Sequence, residues 1–494
     1  LSLTAAMLFV LLSFGELPSV NAAGDFVVVS GVLTEYHGKG GAVRIPEGVS
    51  RIEDSVFFDN DLITSVTFPK SVKVVGKRSF SCCDSLRDVS FNGGLSSIGE
   101  SAFERSGITS LQLPSTLTEL GTWAFCGCES LRTARIWGKM DTIGSYAFDS
   151  CTALESVTLA NSINSIEESA FGNCRSLKNV TLPNALERIG IRAFGNCSAL
   201  TRVEIPARVK EIDDTAFRDC NGLTAVSVNS AGKSFKAVDG VLYNKDMTTL
   251  VLFPMAKKAQ TFILPASVSE IVTGALIARQ VAEFKVASGN RRYVARDGVI
   301  YNANGSERCH YPQGNGASSF TVPQGVKTIG KNAFEYAGSL TEVQFGSGLE
   351  WIKDAAFRRC SKLKRTEIPA SVRTLGSNAF EYCHSLSDIR LNPGLEVIRS
   401  DCFSNADALK TIEIPQGVES IEEGAFSYCD LLSEVKLPET LKKIEKNAFA
   451  DCVSLSRITL PSSLKKLGKK AFAGCSSLTS TRVPSGGEQT EEGG

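Results

Sequence analysis

The sequence predicts a β-rich repeat solenoid of about 16 coils of 23 residues, with parallel strands and short helical turns. Three observations carry this. A phenylalanine, usually in an Ala-Phe pair, recurs at Phe57, Phe80, Phe103, Phe125, Phe148, Phe171, Phe194 and Phe217. It resumes at Phe334, Phe357, Phe380, Phe403, Phe426, Phe449 and Phe472, and every step is 23 residues except one of 22 before Phe125. Leu276 is a degenerate copy between the two series. Ahead of each marker lies a short segment that alternates apolar and polar residues and commonly ends in proline. A cysteine commonly follows the marker by three residues.

Each column has a physical reading. Leu455-Ser-Arg-Ile458-Thr-Leu460 alternates with the period of a strand that has one buried face. Pro461 follows; proline has no N–H to give to a ladder and suits a strand end. Leu464 and Leu467 return to the core, and Gly468 permits a sharp corner. Ala471-Phe472 reads as a short helical turn that inserts its ring between layers. One coil cannot bury these residues alone, so successive coils must stack.

Eleven of the 15 cysteines occupy the column after the marker: Cys83, Cys128, Cys151, Cys174, Cys197, Cys220, Cys360, Cys383, Cys429, Cys452 and Cys475. A disulfide framework is one reading of so many cysteines. The column favours the other, a small inward-facing hydrophobe in each coil, since Ser106, Ala337 and Ala406 replace it without breaking the period. Zinc is disfavoured because ligands in parallel columns do not converge on a tetrahedron.

These columns, Leu-x-x-Val-x-Leu-Pro, Val-x-x-Ile-Gly-x-x-Ala-Phe and the trailing cysteine, resemble the BspA-like, or Treponema-type, leucine-rich repeat over roughly residues 43–484. The resemblance implies a right-handed curved coil on secreted or cell-surface proteins, often adhesins. Two insertions are similar to excursions in that family. One runs Phe235-Lys-Ala-Val-Asp239-Gly240-Val-Leu-Tyr243-Asn244, the other Tyr293-Val-Ala-Arg-Asp297-Gly298-Val-Ile-Tyr301-Asn302. In both, Asp-Gly reads as a hairpin turn. Ser30-Gly31-Val-Leu-Thr-Glu-Tyr36 echoes them at the front.

The expected organisation follows: a secretory leader at 1–22, an N-terminal cap at 23–46, repeat blocks at 47–228 and 323–484, a degenerate repeat with two hairpin insertions at 229–322, and a disordered acidic tail at 485–494. The leader rests on the apolar run Ala5–Phe14 and the small residues Ala22 and Ala23. No later stretch is apolar enough to span a membrane, so an anchor would lie beyond residue 494.

Composition bounds the function. Lys+Arg and Asp+Glu are 53 each, which gives no global field for nucleic acid. His37, His310 and His384 fall in unrelated contexts, and no phosphate loop or nucleophile elbow occurs. The expectation is a non-catalytic scaffold without cofactor or metal, binding a protein or glycan ligand. The alternative is the ectodomain of a larger membrane-anchored receptor or enzyme.

The natural binding surface is the outward strand column: Thr67, Ser90, Gln112, Arg135, Thr158, Thr181, Glu204 and Ser227, then Gln344, Glu367, Arg390, Glu413, Lys436 and Thr459. Lys442, Lys443, Lys446, Lys465, Lys466 and Lys469 form a basic cluster in which the period stacks like charges. They are candidates for an anionic partner, or simply a solubilising face. Asn179 and Asn304 are candidate glycosylation sites, Asn304 in an insertion loop.

Overall fold

A computed structural model of the chain describes residues 20–479 together with 488–489. The expected leader, save its last three residues, and most of the expected tail lie outside them. The chain divides into two compact units, 1–200 with 208–220 and 201–207 with 221–494.

Both units are built from two parallel ladders. A face strand such as Ser156–Leu159 pairs with Thr133–Ile136 and Asn179–Thr181. A shorter strand such as Ser165–Ile166 pairs with Thr142–Ile143 and Arg188–Ile189. The 23-residue register is kept, Val157 opposite Val180 and Ile166 opposite Ile189. Alternation does the sorting: in Ser156–Leu159 the residues run exposed, buried, exposed, buried.

The markers are the core. Phe57 to Phe217 stack ring on ring in the first unit, with centroids 4.6–5.5 Å apart and planes within 10°. Phe334 to Phe472 also stack in the second unit, at 4.5–5.7 Å and with planes within 24°. Such contacts add to the area that each ring removes from water.

The turns correct the sequence reading. No α-helix occurs among the described residues. In nearly every coil two residues, two before and two after the marker, take the left-handed backbone region; around Phe148 they are Tyr146 and Ser150, both with φ of 58°. A right-handed helix cannot continue through such residues. Alternate N–H groups leave the coil instead: those of Tyr146, Phe148 and Ser150 donate to Glu168, Ala170 and Gly172 at 2.8–2.9 Å. Those between them close local turns, as Asp149 does to Tyr146 at 3.1 Å.

The coil count is corrected too. The solenoid has about 19 turns rather than 16. The three extra turns come from the front hairpin and the two insertions. Val32–Tyr36 pairs in parallel with Arg51–Ile52, Thr249–Leu252 with Glu270–Ile271, and Glu307–His310 with Thr328–Ile329. Each excursion thus gives one strand to the short-strand ladder and completes a coil of its own. Their turns have the backbone that Asp-Gly favours, with φ of 48° and 74° at Asp239 and Gly240, and 50° and 75° at Asp297 and Gly298.

Gly468 has a different role from the one its sequence position suggests. Its φ is not positive; a Cβ there would lie 2.4 Å from the backbone of Glu445 and Lys446. Close approach of the neighbouring coil is the constraint.

Candidate binding surface

The face strands present their outward side chains as ordered columns. Of the 14 outward positions named above, all are exposed except Thr67, which is half-buried. A second outward column lies two residues earlier, and there register creates ion pairs: Arg365 reaches Glu342 at 2.9 Å. In the second unit, Glu342, Arg365, Glu367, Asp388 and Arg390 line a shallow cleft of about 610 Å³ floored by Val343 and Thr366. Thr366 stands in an apolar column, and its buried hydroxyl donates to Val343 O at 2.9 Å.

The first unit has a counterpart of about 770 Å³, lined by Ser90, Gln112, Arg135 and Trp137 among others. Trp137 is 46% exposed. Reading the outward column alone missed it, because it stands one residue past the strand, where the preceding coil carries Pro114 and a later one Pro183. A tryptophan in a proline column was the signal available.

The basic cluster follows the expected register, with Lys443 opposite Lys466. Three of its six charges are met by glutamates. Lys442 pairs with Glu419 at 2.5 Å, Lys446 with Glu423 at 2.8 Å and Lys466 with Glu445 at 2.7 Å. Asn179 opens an exposed face strand. Asn304 is exposed at a turn of the second insertion, where Ser306 donates its N–H and hydroxyl to Asn304 Oδ1 at 3.0 and 2.7 Å.

The cysteine column is not a reactive set. The 14 cysteines whose side chains are described are free. Each of the 11 in the column donates its thiol to the carbonyl of the marker one coil back, as Cys151 Sγ does to Phe125 O at 3.2 Å and Cys429 Sγ to Phe403 O at 3.2 Å. Burial pushes the Cys128 and Cys220 thiols up to about 12, so the nucleophilic thiolate is suppressed. Cys383 is buried while its neighbour His384 is exposed, with Nδ1 2.7 Å from Asp407. That places the two on opposite sides of the chain.

Fold and surface together define a class: a repeat scaffold of stacked parallel coils with an ordered polar face. The chain matches the BspA type Leucine rich repeat region at residues 39–155, 141–260, 310–430 and 396–493. It belongs to that family. It is similar to a leucine rich cell surface protein from Faecalibacterium prausnitzii, at 22% identity over 94% of each chain and a TM-score of 0.38. A leucine-rich repeat protein from Bacteroides ovatus is 19% identical over 93% of this chain and 94% of that one, with a TM-score of 0.42. A leucine-rich repeat protein of T. pallidum is 26% identical over 38% of this chain and 90% of that one, with a TM-score of 0.32. No curated protein matches. No helix among the described residues is long and apolar enough to cross a membrane.

Proposed function

We propose that this protein is a non-catalytic scaffold, secreted or displayed at a cell surface, which binds a protein or glycan ligand through its face strands. One observation carries the reading. The outward columns are exposed in both units and border shallow clefts, one lined mainly by charged side chains and the other by polar ones with Arg135 and Trp137. Interfaces of this kind take their energy from a few anchors, with tryptophan and arginine prominent among them. Trp137, Arg135 and Arg390 are the anchors expected here.

Binding of purified protein to arrayed glycans, matrix proteins and whole cells tests this. Arg135→Glu with Trp137→Ala, and Glu367→Lys with Arg390→Glu, should abolish binding without changing the melting temperature. Undiminished binding by both variants refutes the strand-face reading. Lys443 and Lys465, which form no ion pair among the described residues, are the members of the basic cluster placed to meet an anionic partner. Asn179 and Asn304 are proposed glycan acceptors, and mass spectrometry of protein from a eukaryotic secretory host decides their occupancy.

A further inference from the structure

Beside the second insertion, within the unit of residues 221–494, lies a cleft of about 550 Å³. Four cations line it, Arg291, Arg292, Lys331 and Lys353, against one carboxylate, Glu307. Glu307 holds Lys353 at 2.8 Å. Arg291, Arg292 and Lys331 are exposed and have no carboxylate partner among the described residues. Elsewhere in this unit the 23-residue register sets a glutamate one coil from a cation, as in Lys327–Glu350 at 3.2 Å and Lys446–Glu423 at 2.8 Å. The insertion breaks that register, and the charge is left unmet.

The cluster is held in place. Asn290 Oδ1 accepts the N–H groups of Arg292 and Tyr293, both at 2.9 Å. Its Nδ2 donates to Pro265 O and Val268 O at 3.0 and 2.9 Å, which staples the arginine-bearing loop to the preceding coil. A loop fixed before binding loses little entropy on binding. His310 also faces the cleft; burial of its ring pushes its pKa down to about 4, so it serves there as a neutral hydrogen-bonding group.

We propose that this cleft binds an oxyanion ester, sulfate or phosphate, carried on a saccharide. Adjacent guanidinium forks match the oxygens of such a group, and Lys331 adds a point charge. The amides of Asn302 and Asn304 on the cleft wall suit a hydroxyl-rich body. The volume is that of a small-molecule site, and a stable protein interface needs about 800 Å² on each partner. This inference goes beyond the strand-face reading and does not depend on it.

Calorimetry on protein made in a bacterial host, where Asn304 carries no glycan, tests it. The probes are a heparin-type sulfated tetrasaccharide, its desulfated form, mannose 6-phosphate, and inorganic sulfate and phosphate. One of the two esters should bind, and whichever binds more tightly assigns the group; the desulfated sugar should not bind. Arg291→Ala with Arg292→Ala should weaken binding by about tenfold or more, and Lys331→Ala by severalfold, as expected for losing charge-assisted hydrogen bonds. Lys77→Ala with Lys210→Ala, at exposed ion pairs of the first unit, should leave it unchanged. Equal affinity for the desulfated sugar, unaltered affinity in the cleft variants, binding of the inorganic ions alone, or no binding of either ester overturns the proposal.

Discussion

Between Phe334 and Phe472 each coil repeats the one before; between Asn229 and Val322 hardly any does. The regular stretch has one continuous core, with its rings stacked nearly parallel. That core also takes in Val299, Tyr301 and Tyr311 of the second insertion, and the rest of the irregular stretch has a separate cluster, in which Phe253, Phe262 and Phe284 meet edge to face at 70° and 81°. Yet the hydrogen bonding is conserved across the two. Phe253 N–H donates to Ala275 O at 2.7 Å and Tyr311 N–H to Ala333 O at 2.8 Å, as Phe334 N–H does to Ala356 O at 2.8 Å. Phe253 and Tyr311 therefore stand where a marker would. The solenoid accepts long insertions because its requirement is a strand for the ladder and a ring for the core, whatever the spacing that delivers them.

The largest expected effect tests that equivalence. Phe380→Ala and Phe253→Ala each remove a fully buried ring, and each should cost about 3–5 kcal/mol. Denaturant titration checks this; a loss at Phe253 of less than half that at Phe380 would mean that the irregular stretch is packed more loosely. Next comes Gly240→Ala, which forces a side chain onto φ of 74° and brings its Cβ to 3.0 Å from Ala225. The expected cost is about 1–3 kcal/mol. Hydrogen exchange should show protection lost over Phe235–Val238 and Val241–Asn244 while the coils from Phe334 onward keep theirs.

Acid should separate the two stretches as well. Burial holds the His310 imidazole near 4, below its ordinary value of 6.5, so the unfolded chain takes up the proton first. Its contribution is full above about 6.5 and is lost as pH falls toward 4. His310→Asn should flatten the stability profile in that window. A smaller effect belongs to the thiol ladder: Cys383→Val removes the donor to Phe357 O at 3.2 Å and should cost about 1 kcal/mol more than Cys383→Ser. The smallest effect is on the surface. Lys465→Ala with Lys466→Ala should move stability by under about 1 kcal/mol, because it relieves two lysine stacks and breaks one exposed ion pair with Glu445. A shift as large as that of Phe380→Ala would contradict the assignment of inside and outside.

Period and alternation alone determined much of this protein. A marker every 23 residues dictates stacked coils, apolar-polar alternation assigns each strand residue to core or surface, and Asp-Gly dictates the hairpins, since these are local or periodic signals. Tertiary structure decided what depends on the neighbouring coil. The Ala-Phe turns are not helices because their N–H groups find acceptors in the next coil, which an isolated segment does not supply. The cysteines are hydrogen-bond donors as well as hydrophobes because a carbonyl 25 or 26 residues back lies within reach of each thiol. Half of the lysine cluster is offset by glutamates one coil away, and the arginines beside the second insertion are not, because charge balance in a solenoid is set by which side chains stack and an insertion changes the stacking partner.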